Sequence, residues 1–467
     1  MQYISTRGAC APVTFIEAIT QGLAPDGGLY VPRTWPRLDK SVLEAAATAP
    51  YFETAAIVLK AFAGDDLDIE TARKLTKSAY GDNWGDKNIV PLRDLGNNLH
   101  LLELFHGPSL AFKDVAMQLI AELYEYFLNL SGKHLSVICA TSGDTGGAAV
   151  EALKNKKNVS LFVMLPDGRV SEVQKRFMTA SGAANVHALV LDGDFDKAQA
   201  ILKNLFADKA FVAEVNLTPV NSVNFARIVA QCVYFITSAA KLGAVAPIDF
   251  IIPTGNFGDA FSAWVAKKLG ANIGKIVIAN NANNSIALAL ETGKFATGEH
   301  SIATISPAMD IQIASNFERI IYESSAGDTA QKAKSVNAAY SALKSEKSYV
   351  IEAACLTALR ADFVACHIDD KTTSASIIEC HTQTGEIICP HTAVGWAARN
   401  CVGDSEREKI ILATAHPAKF PETVTEVLGI VPALPSQALD LFQRPENFEK
   451  MLANEENIKT YLRDKAV

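Results

Sequence analysis

The 467-residue sequence has no long run of basic residues and no long run of apolar residues. Its formal net charge of -8 gives no electrostatic basis for binding nucleic acid or an anionic membrane. We expect no membrane-spanning segment, and the opening residues MQYISTRGACAPVTF lack the basic end and apolar stretch of a secretory signal. The sequence therefore predicts a cytoplasmic protein that acts on a small molecule, with neither nucleic acid nor a membrane as partner.

Cysteine is also scarce, with eight residues spread thinly over the chain and several of them in apolar runs such as LSVICA. This pattern predicts reduced, buried thiols. The segment ECHTQTGEIICPHT contains a mixture of residues that could bind zinc, namely Cys380, His381, Cys389 and His391. Because the paired C-x-x-C spacing of structural zinc sites is missing, we predict no metal site.

Apolar runs of strand length alternate with helix-periodic stretches from about residue 100 onward, which is typical of βαβ units on parallel sheets. The first such run, LHLLELF, marks the beginning of the first lobe. We predict an α/β protein with two doubly wound parallel-sheet lobes, at residues 96–245 and 246–430. A small N-terminal α+β domain, residues 1–95, precedes them, and a helical tail, residues 431–467, follows.

The stretch FHGPSLAFKDVA raises the question of why Lys113 lies in an apolar setting. Apolar residues recur at helical spacing after it, so we predict a helix that begins close to Ser109 with Lys113 in its first turn. The helix dipole and partial burial both favour a neutral amine there, which is the form that bonds a carbonyl carbon. The alternative is a lysine whose charged end reaches solvent, which is common near helix starts.

Three further segments place a glycine-bearing or hydroxyl-bearing loop directly after a predicted strand. ATSGDTGGAAVEAL, residues 140–153, and IIPTGNFGDAFSAW, residues 251–264, each lead into a helix whose free N–H groups can bind an anion. Gly255 and Gly258 suit a cofactor phosphate ester, because their backbone can approach it closely. KIILATAHPAKF, residues 409–420, ends a strand at Thr414, whose hydroxyl can enter a shared crevice. The alternative is that all three are ordinary loops of an α/β domain.

The order of seven motifs resembles the successive signatures of the threonine synthase family: LAPDGGLYVP, FHGPSLAFKD, ATSGDTGGAA, PTGNFGDA, SNFERIIYE, CPHTAVGW and ATAHPAKFPE. The resemblance implies the pyridoxal phosphate fold type of the tryptophan synthase β-subunit, in the longer form with an extra N-terminal domain. It also implies the conversion of O-phospho-L-homoserine and water into L-threonine and phosphate, by γ-elimination and β-addition of water.

The resemblance assigns roles to residues of this sequence. Lys113 holds pyridoxal 5'-phosphate as a Schiff base and serves as general base, Thr414 faces the ring nitrogen, and Asp144 lies near the 3-hydroxyl. The cofactor phosphate is held by the loop of Gly255, Asn256, Phe257, Gly258 and Asp259. The substrate carboxylate is expected to meet Thr141, Ser142 and Thr145. The substrate phosphate is expected to meet Asn221, Ser222 and Arg227.

Three other functions stay open at this point. A related lyase would also eliminate phosphate but stop before hydration and release a keto acid. A nucleotide-dependent α/β enzyme could use the same glycine loops, and a non-catalytic relative could bind the cofactor and serve as an interaction surface. Intact Lys113 and Arg227 argue against the last of these. The sequence predicts no oligomeric state.

Overall fold

The computed structural model describes residues 1–141, 143–168, 170–193, 195–298, 300–403 and 406–466. A small α+β domain comes first, in which two short strands pair antiparallel beside four helices. Its elements are β1 (Tyr3–Ser5), α1 (Phe15–Gln21), β2 (Tyr30–Pro32), α2 (Lys40–Ala45), α3 (Tyr51–Ala63) and α4 (Ile69–Ala79).

The next part of the chain alternates strands and helices. Its elements are β3 (Leu92–Asp94), β4 (Leu99–Glu103), α5 (Lys113–Ser131), β5 (Leu135–Ala140), α6 (Asp144–Leu153), β6 (Val159–Pro166), α7 (Glu172–Thr179), β7 (Val186–Asp192), α8 (Phe195–Ala207), α9 (Lys209–Glu214), β8 (Leu217–Pro219) and α10 (Phe225–Leu242). Strands β5 to β8 form most of a parallel sheet, which is the sheet of the first lobe.

The second lobe and the tail complete the structure. Their elements are β9 (Ile248–Pro253), α11 (Gly258–Leu269), β10 (Ile273–Asn280), α12 (Ser285–Thr292), β11 (Lys294–Ala296), α13 (Phe317–Ser324), α14 (Thr329–Glu346), β12 (Ser348–Val350), α15 (Ala353–Asp362), β13 (Phe363–His367), α16 (Asp370–Thr384), α17 (Pro390–Ala398), β14 (Lys409–Ala413), α18 (Pro421–Leu428), β15 (Glu449–Leu452) and α19 (Glu455–Lys465).

The two large sheets confirm the predicted fold class and correct two strand assignments. The six-stranded sheet has the order β13-β10-β9-β14-β4-β3, and the five-stranded sheet has the order β15-β7-β6-β5-β8. The run LHLLELF, predicted to open the first lobe, supplies β4 to the second, where Leu101 pairs with Ile411 of β14. Strand β15 of the tail pairs with β7, so residues 431–467 are not purely helical. A strand buried on both faces carries no sequence signal of which sheet it joins. The domain boundaries themselves remain predictions.

The strands at the centre of both sheets are buried and mainly apolar, because helices cover both faces; Ser160 of β6 and Asp249 of β9 are the polar exceptions in these two strands. Every residue of β6 and of β9 is buried. Helix α10 is buried as well, and this corrects the expectation that no segment has the length and composition of a membrane span. Its mean hydropathy of 1.2 meets that test, but 83% of the helix is buried inside the protein, as expected of a core helix.

Two of the eight cysteines contradict the prediction of reduced, buried thiols. Cys366 of β13 and Cys401, which follows α17, form a disulfide across a Cα–Cα distance of 6.6 Å. Cys366 is only partly buried and Cys401 is exposed. They are 35 residues apart in sequence, and β13 and the end of α17 bring them within bridging distance only in the fold. The wide spacing of the cysteines along the sequence therefore did not exclude a disulfide.

Candidate active site

The loops singled out in the sequence meet where strands of both sheets end. In parallel α/β sheets the carboxyl ends of the strands form the crevice in which ligands bind. Asp144 follows β5 of the first sheet, whereas Lys113 follows β4 and Lys419 follows β14 of the second. Asp144 contacts both lysines, so the candidate site lies between the two lobes.

Lys113 is the first residue of α5, which begins later than predicted from Ser109. The carboxylate of Asp114 accepts hydrogen bonds from the backbone N–H and the hydroxyl of Ser109, at 2.9 and 2.6 Å. These bonds hold the intervening residues as a turn, with Leu110 at a φ of 63°. The turn pairs with the end of β14, where the Phe112 N–H donates to the Thr414 carbonyl at 2.8 Å.

The amine of Lys113 is largely enclosed, with 11% of its side chain exposed, and its Nζ donates to Asp144 Oδ2 at 3.3 Å. Burial lowers the pKa of Lys113, and the charges of Lys419 and Arg227 lower it further, against the opposing effect of Asp144. The site therefore favours the neutral amine that covalent chemistry with a carbonyl needs. Burial, one of the two predicted causes, is the largest, and the nearby cations of Lys419 and Arg227 were not predicted.

Asp144 is buried, and its two carboxylate oxygens contact three nitrogen atoms, which come from both lobes. Its Oδ1 accepts hydrogen bonds from Gln174 Nε2 at 3.0 Å and contacts Lys419 Nζ at 2.9 Å, while Oδ2 faces Lys113. Burial alone would raise the pKa of Asp144, but Lys419 and Lys113 hold this pKa well below its usual range. Asp144 is therefore anionic. Sequence reasoning missed Lys419 and Gln174.

Thr141, one of the predicted substrate-binding residues, binds the backbone of its own loop. The Thr141 hydroxyl oxygen accepts hydrogen bonds from the N–H groups of Gly143 and Gly146, each at 3.0 Å. Gly143 has a φ of 136°, and a Cβ there would come 2.5 Å from Gln174. Thr145 is partly exposed, whereas Ser142 lies outside the described residues. Contact between this loop and a substrate carboxylate stays a prediction, and Thr141 holds the loop's shape.

The glycine loop after β9 presents free backbone donors. Within the described ranges, the N–H groups of residues 255–260 donate no hydrogen bond, and they run into the first turn of α11. The positive φ in this loop belongs to Phe257, at 63°, and neither glycine requires one. Gly255 is needed for close approach, because a Cβ there would lie 3.1 Å from the Ala308 carbonyl oxygen. The arrangement suits a phosphate ester.

Asn316 and Arg319 tie this loop to the neighbouring one, and sequence reasoning gave neither a role although both lie in SNFERIIYE. Asn316 Nδ2 donates to the carbonyls of Ser222 at 3.0 Å and Asn256 at 3.1 Å. The buried guanidinium of Arg319 donates to Asn316 Oδ1, to the Val223 carbonyl and, in the N-terminal domain, to the Tyr30 carbonyl. This network fixes the spacing of the two loops.

We expect Gly258→Val to weaken binding of pyridoxal phosphate, the cofactor that the resemblance implies, by about tenfold or more. The valine side chain would occupy the face of the loop that binds the phosphate, at the first residue of α11. A Cβ at Gly258 would lie 3.3 Å from Asn316 Nδ2, so the variant also presses on the loop's anchor. Dissociation constants measured by cofactor absorbance check this result. Gly298→Val is the control, since Gly298 is exposed, has no positive φ, and a Cβ there would come closest to the flexible end of the Gln312 side chain, at 3.3 Å. Unchanged cofactor affinity in Gly258→Val would contradict this placement.

Asp259 and Arg227 are both buried beside the glycine loop and interact electrostatically without a direct hydrogen bond. The Asp259 carboxyl accepts a hydrogen bond from the Tyr234 hydroxyl, and burial raises the pKa of Asp259 to about 7. Its Oδ2 and the Nε of Arg227 have no hydrogen-bond partner among the described residues, and Arg227 Nη1 donates to the Asn221 carbonyl at 3.3 Å. The Asp259 carboxyl therefore belongs with Tyr234 and Arg227, leaving only its backbone N–H for the phosphate loop.

The predicted substrate-phosphate residues lie together before and within α10. Asn221 Oδ1 accepts from the N–H groups of Val223 at 3.1 Å and Asn224 at 3.0 Å, which shapes the turn. Asn224 caps α10, and Arg227 is the third residue of that helix. Ser222 is partly exposed. Arg227 contributes to the electrostatics at Lys113, so this turn is part of the same site.

Thr414 is buried at the end of β14, and its N–H donates to the Thr392 hydroxyl at 3.2 Å. Thr392 belongs to α17, whose N-cap Cys389 accepts the Thr392 N–H. Nearby His391 accepts the Ala308 N–H at 3.1 Å, and burial lowers the pKa of His391 to about 4. Cys389, His391 and Thr392 all belong to the segment ECHTQTGEIICPHT, whose cysteines and histidines resemble zinc ligands. Across the described part of the chain, no group of three or more His, Cys, Asp or Glu residues could hold a metal ion.

These residues fit pyridoxal phosphate as a group. The enclosed amine of Lys113 suits its aldehyde, the unpaired N–H groups of residues 255–260 suit its phosphate, and Thr414 supplies a hydroxyl at the opposite loop. The buried guanidinium of Arg227 has an unpaired donor left for a second anion. A site with an amine and two anion-binding elements matches the cofactor and a phosphorylated amino acid together.

Comparisons with known proteins agree with the geometry of the site. The family model of the threonine synthase N terminus matches residues 2–80, that of pyridoxal-phosphate dependent enzymes matches residues 83–379, and that of the threonine synthase C-terminal region matches residues 392–462. Threonine synthase of Pseudomonas aeruginosa is 38% identical over 449 residues, which cover 96% of this chain and 94% of that protein.

Two solved structures are similar over nearly their whole length. The PLP-bound threonine synthase of Brucella melitensis is 39% identical, with a TM-score of 0.96 and coverage of 100% of this chain and 99% of that one. Yeast threonine synthase is 34% identical, with a TM-score of 0.94 and coverage of 99% and 98%. The chain belongs to the threonine synthase family, the pyridoxal-phosphate-dependent lyases of threonine biosynthesis, as its sequence motifs predicted.

Proposed function

We propose that the protein converts O-phospho-L-homoserine and water into L-threonine and phosphate in the cytoplasm, at the site around Lys113. One observation carries the proposal: an enclosed lysine amine lies between two loops that each offer anion-binding donors. One of these is the unpaired backbone of residues 255–260, and the other holds the buried Arg227. Pyridoxal phosphate would use the amine and the first of these loops, and a phosphorylated amino acid would use Arg227 of the second.

Lys113 would hold the cofactor through its Nζ, the backbone N–H groups of residues 255–259 would hold the cofactor phosphate, and Thr414 would offer its hydroxyl to the ring nitrogen. When bound, pyridoxal phosphate would supply an electron sink for the carbon next to the substrate amine. A hydroxyl at Thr414 would favour a neutral ring nitrogen, since it cannot stabilise a pyridinium as a carboxylate does. Asp144 contacts Lys113 Nζ and therefore lies beside the atom that bonds the cofactor.

Lys113 also moves protons once the substrate amine has displaced it. Its pKa is lowered by burial and by the charges of Lys419 and Arg227, so the freed amine accepts a proton at neutral pH. The same Nζ removes the proton at the substrate Cα. A second proton leaves Cβ as phosphate departs from Cγ, and Cγ then takes up a proton to become the methyl group. Water adds its oxygen at Cβ and gives up one proton, and a proton returns to Cα from Lys113 Nζ.

Arg227 binds the phosphate that leaves, together with Asn221 and Ser222. The guanidinium is buried and unpaired at Nε, so a dianion there gains a charge-assisted bond without competition from water. The substrate carboxylate meets Thr141, Ser142 and Thr145, where the N–H groups of Asp144 and Thr145 donate no hydrogen bond within the described residues. Two anchored anions hold the Cα and Cγ ends of the substrate apart.

Product analysis tests this function and separates it from the keto-acid lyase. We expect purified protein, loaded with pyridoxal phosphate and given O-phospho-L-homoserine, to release threonine and phosphate in equal amounts. In water labelled with heavy oxygen, the threonine hydroxyl should carry the label, because that oxygen comes from water. Release of phosphate with a four-carbon keto acid and without threonine would establish the lyase instead. L-homoserine, which has no phosphate to lose, is the control substrate.

A further inference from the structure

We propose that Lys419 is a positioning residue whose buried ammonium fixes the Asp144 carboxylate and offsets its charge beside the nitrogen of Lys113. The inference rests on the proposed function, because it concerns the lysine that holds the cofactor. Lys419 itself is separated from Lys113 by Asp144, so it acts through that carboxylate.

Lys419 is fully buried, and its ammonium contacts Asp144, Ser109 and Phe177. Its Nζ lies 2.9 Å from Asp144 Oδ1 and donates to the Ser109 carbonyl at 2.7 Å. The ring of Phe177 covers the ammonium, with its centroid 5.5 Å from Nζ. A buried ammonium without a carboxylate partner is strongly unfavourable, so the ion pair is what permits a lysine here.

The two carboxylate oxygens of Asp144 contact different partners. Oδ1 takes the bonds from Lys419 and Gln174, which leave Oδ2 directed at Lys113 Nζ. A lone carboxylate at this place would favour the protonated form of the Lys113 nitrogen and would keep the proton there. The ammonium of Lys419 opposes that effect from the far side of the same carboxylate. Asp144 therefore remains a hydrogen-bond acceptor for Lys113, while the Asp144–Lys419 ion pair as a whole carries little net charge.

Several charged groups face Lys113, and the balance among them decides its protonation. Burial, Lys419 and Arg227 lower the pKa of Lys113, and Asp144 raises it. Two more titratable groups interact with Lys113 from the second lobe: His391 and Asp259. Burial favours the neutral form of both: it lowers the pKa of His391 to about 4, so His391 is neutral at pH 7, and it raises the pKa of Asp259 to about 7, so Asp259 is only partly ionised there. Asp144 and Lys419 are therefore the opposed pair that a substitution can unbalance.

The test is a pH titration of the visible absorbance of bound pyridoxal phosphate in three variants. We expect Lys419→Met to raise the apparent pKa of this absorbance band, because the carboxylate loses its counter-charge. Asp144→Asn should lower it, because the cation of Lys419 remains alone. The double variant, which removes both charges, should return it close to the wild-type value. Lys203→Met, an exposed lysine on α8, is the control and should leave the titration unchanged.

Thermal unfolding gives a second readout that does not depend on the cofactor's absorbance. Each single variant leaves one buried charge without its partner and should lower the melting temperature by about 3 to 5 °C. The double variant should be more stable than either single variant. If Lys419→Met does not fold, Asp144→Asn and the double variant still test the proposal, because the double variant must then have the higher apparent pKa.

Two outcomes would overturn the proposal. One is a shift of the apparent pKa in the same direction for both single variants, which would mean that each merely disturbs the site. The other is a double variant whose titration stays as far from wild type as that of Asp144→Asn. A wild-type protein that shows no visible band with pyridoxal phosphate would refute the proposed function of Lys113 itself, which distinguishes the two failures.

Discussion

Lys113→Ala is expected to abolish both turnover and the visible absorbance that pyridoxal phosphate acquires when bound to the protein. The amine bonds the cofactor and also moves the substrate protons, so the loss should be about ten-thousandfold or more in kcat. The fold should survive, because within the described chain the amine makes one hydrogen bond, of 3.3 Å to Asp144, and otherwise lies 4.7 Å from the centroid of the Phe112 ring. Absorbance spectra and a phosphate-release assay measure the two effects.

The control for this variant is Lys133→Ala, an exposed lysine just beyond the other end of α5. It should keep the wild-type spectrum and rate. Reduction of the loaded wild-type protein with borohydride, followed by peptide mapping, should place the cofactor on the peptide that contains Lys113. A Lys113→Ala protein that kept the visible band and its activity would show that another lysine holds the cofactor. Lys419, also buried in this site, would then be the first to examine.

Arg227→Leu is expected to lower turnover of O-phospho-L-homoserine by about a hundredfold or more, the loss that follows from removing a charged contact of about 3 kcal/mol. Cofactor binding should persist. Arg227 also faces Asp259, but burial raises the pKa of Asp259 to about 7, so this carboxyl can become neutral when its partner is lost. The spectral change caused by an amino acid without phosphate should therefore be the same as in the wild type.

Lys241→Leu provides the matched control, because it removes an exposed cation from the last turn of the same helix, α10. It should not alter turnover. Equal losses for phosphorylated and unphosphorylated amino acids in Arg227→Leu would mean that the guanidinium supports the fold through Asp259 and Asn221. In that outcome the substrate-phosphate site would have to be sought elsewhere in the crevice.

The sequence predicted the parts of the site that local pattern controls. The strands ending at Ala140, Pro253 and Ala413 read as apolar runs, and the loops that follow them contain the glycines and hydroxyls of a ligand crevice. Because parallel strands end at one edge of a sheet, their loops converge without any knowledge of side-chain contacts. The threonine synthase resemblance then assigned the residues, and the family it named is confirmed.

What the sequence could not predict depends on distances between remote segments. Lys419 and Asp144 are 275 positions apart by number, yet their side chains meet at 2.9 Å. Arg319 bonds to the N-terminal domain at the Tyr30 carbonyl, and Cys366 bonds to Cys401. No periodicity or motif encodes such contacts. The same holds for β4, whose apolar run suits either sheet and whose partner is decided by the crossover of the chain.

The central claim is that Lys113 holds pyridoxal phosphate in a site that turns O-phospho-L-homoserine into threonine. The most direct test is the visible spectrum of the purified, cofactor-loaded protein before and after addition of O-phospho-L-homoserine, with threonine measured in the same cuvette. We predict a visible band that changes when substrate is added and returns as threonine accumulates. A band that does not respond to O-phospho-L-homoserine, with no threonine formed, would contradict the claim.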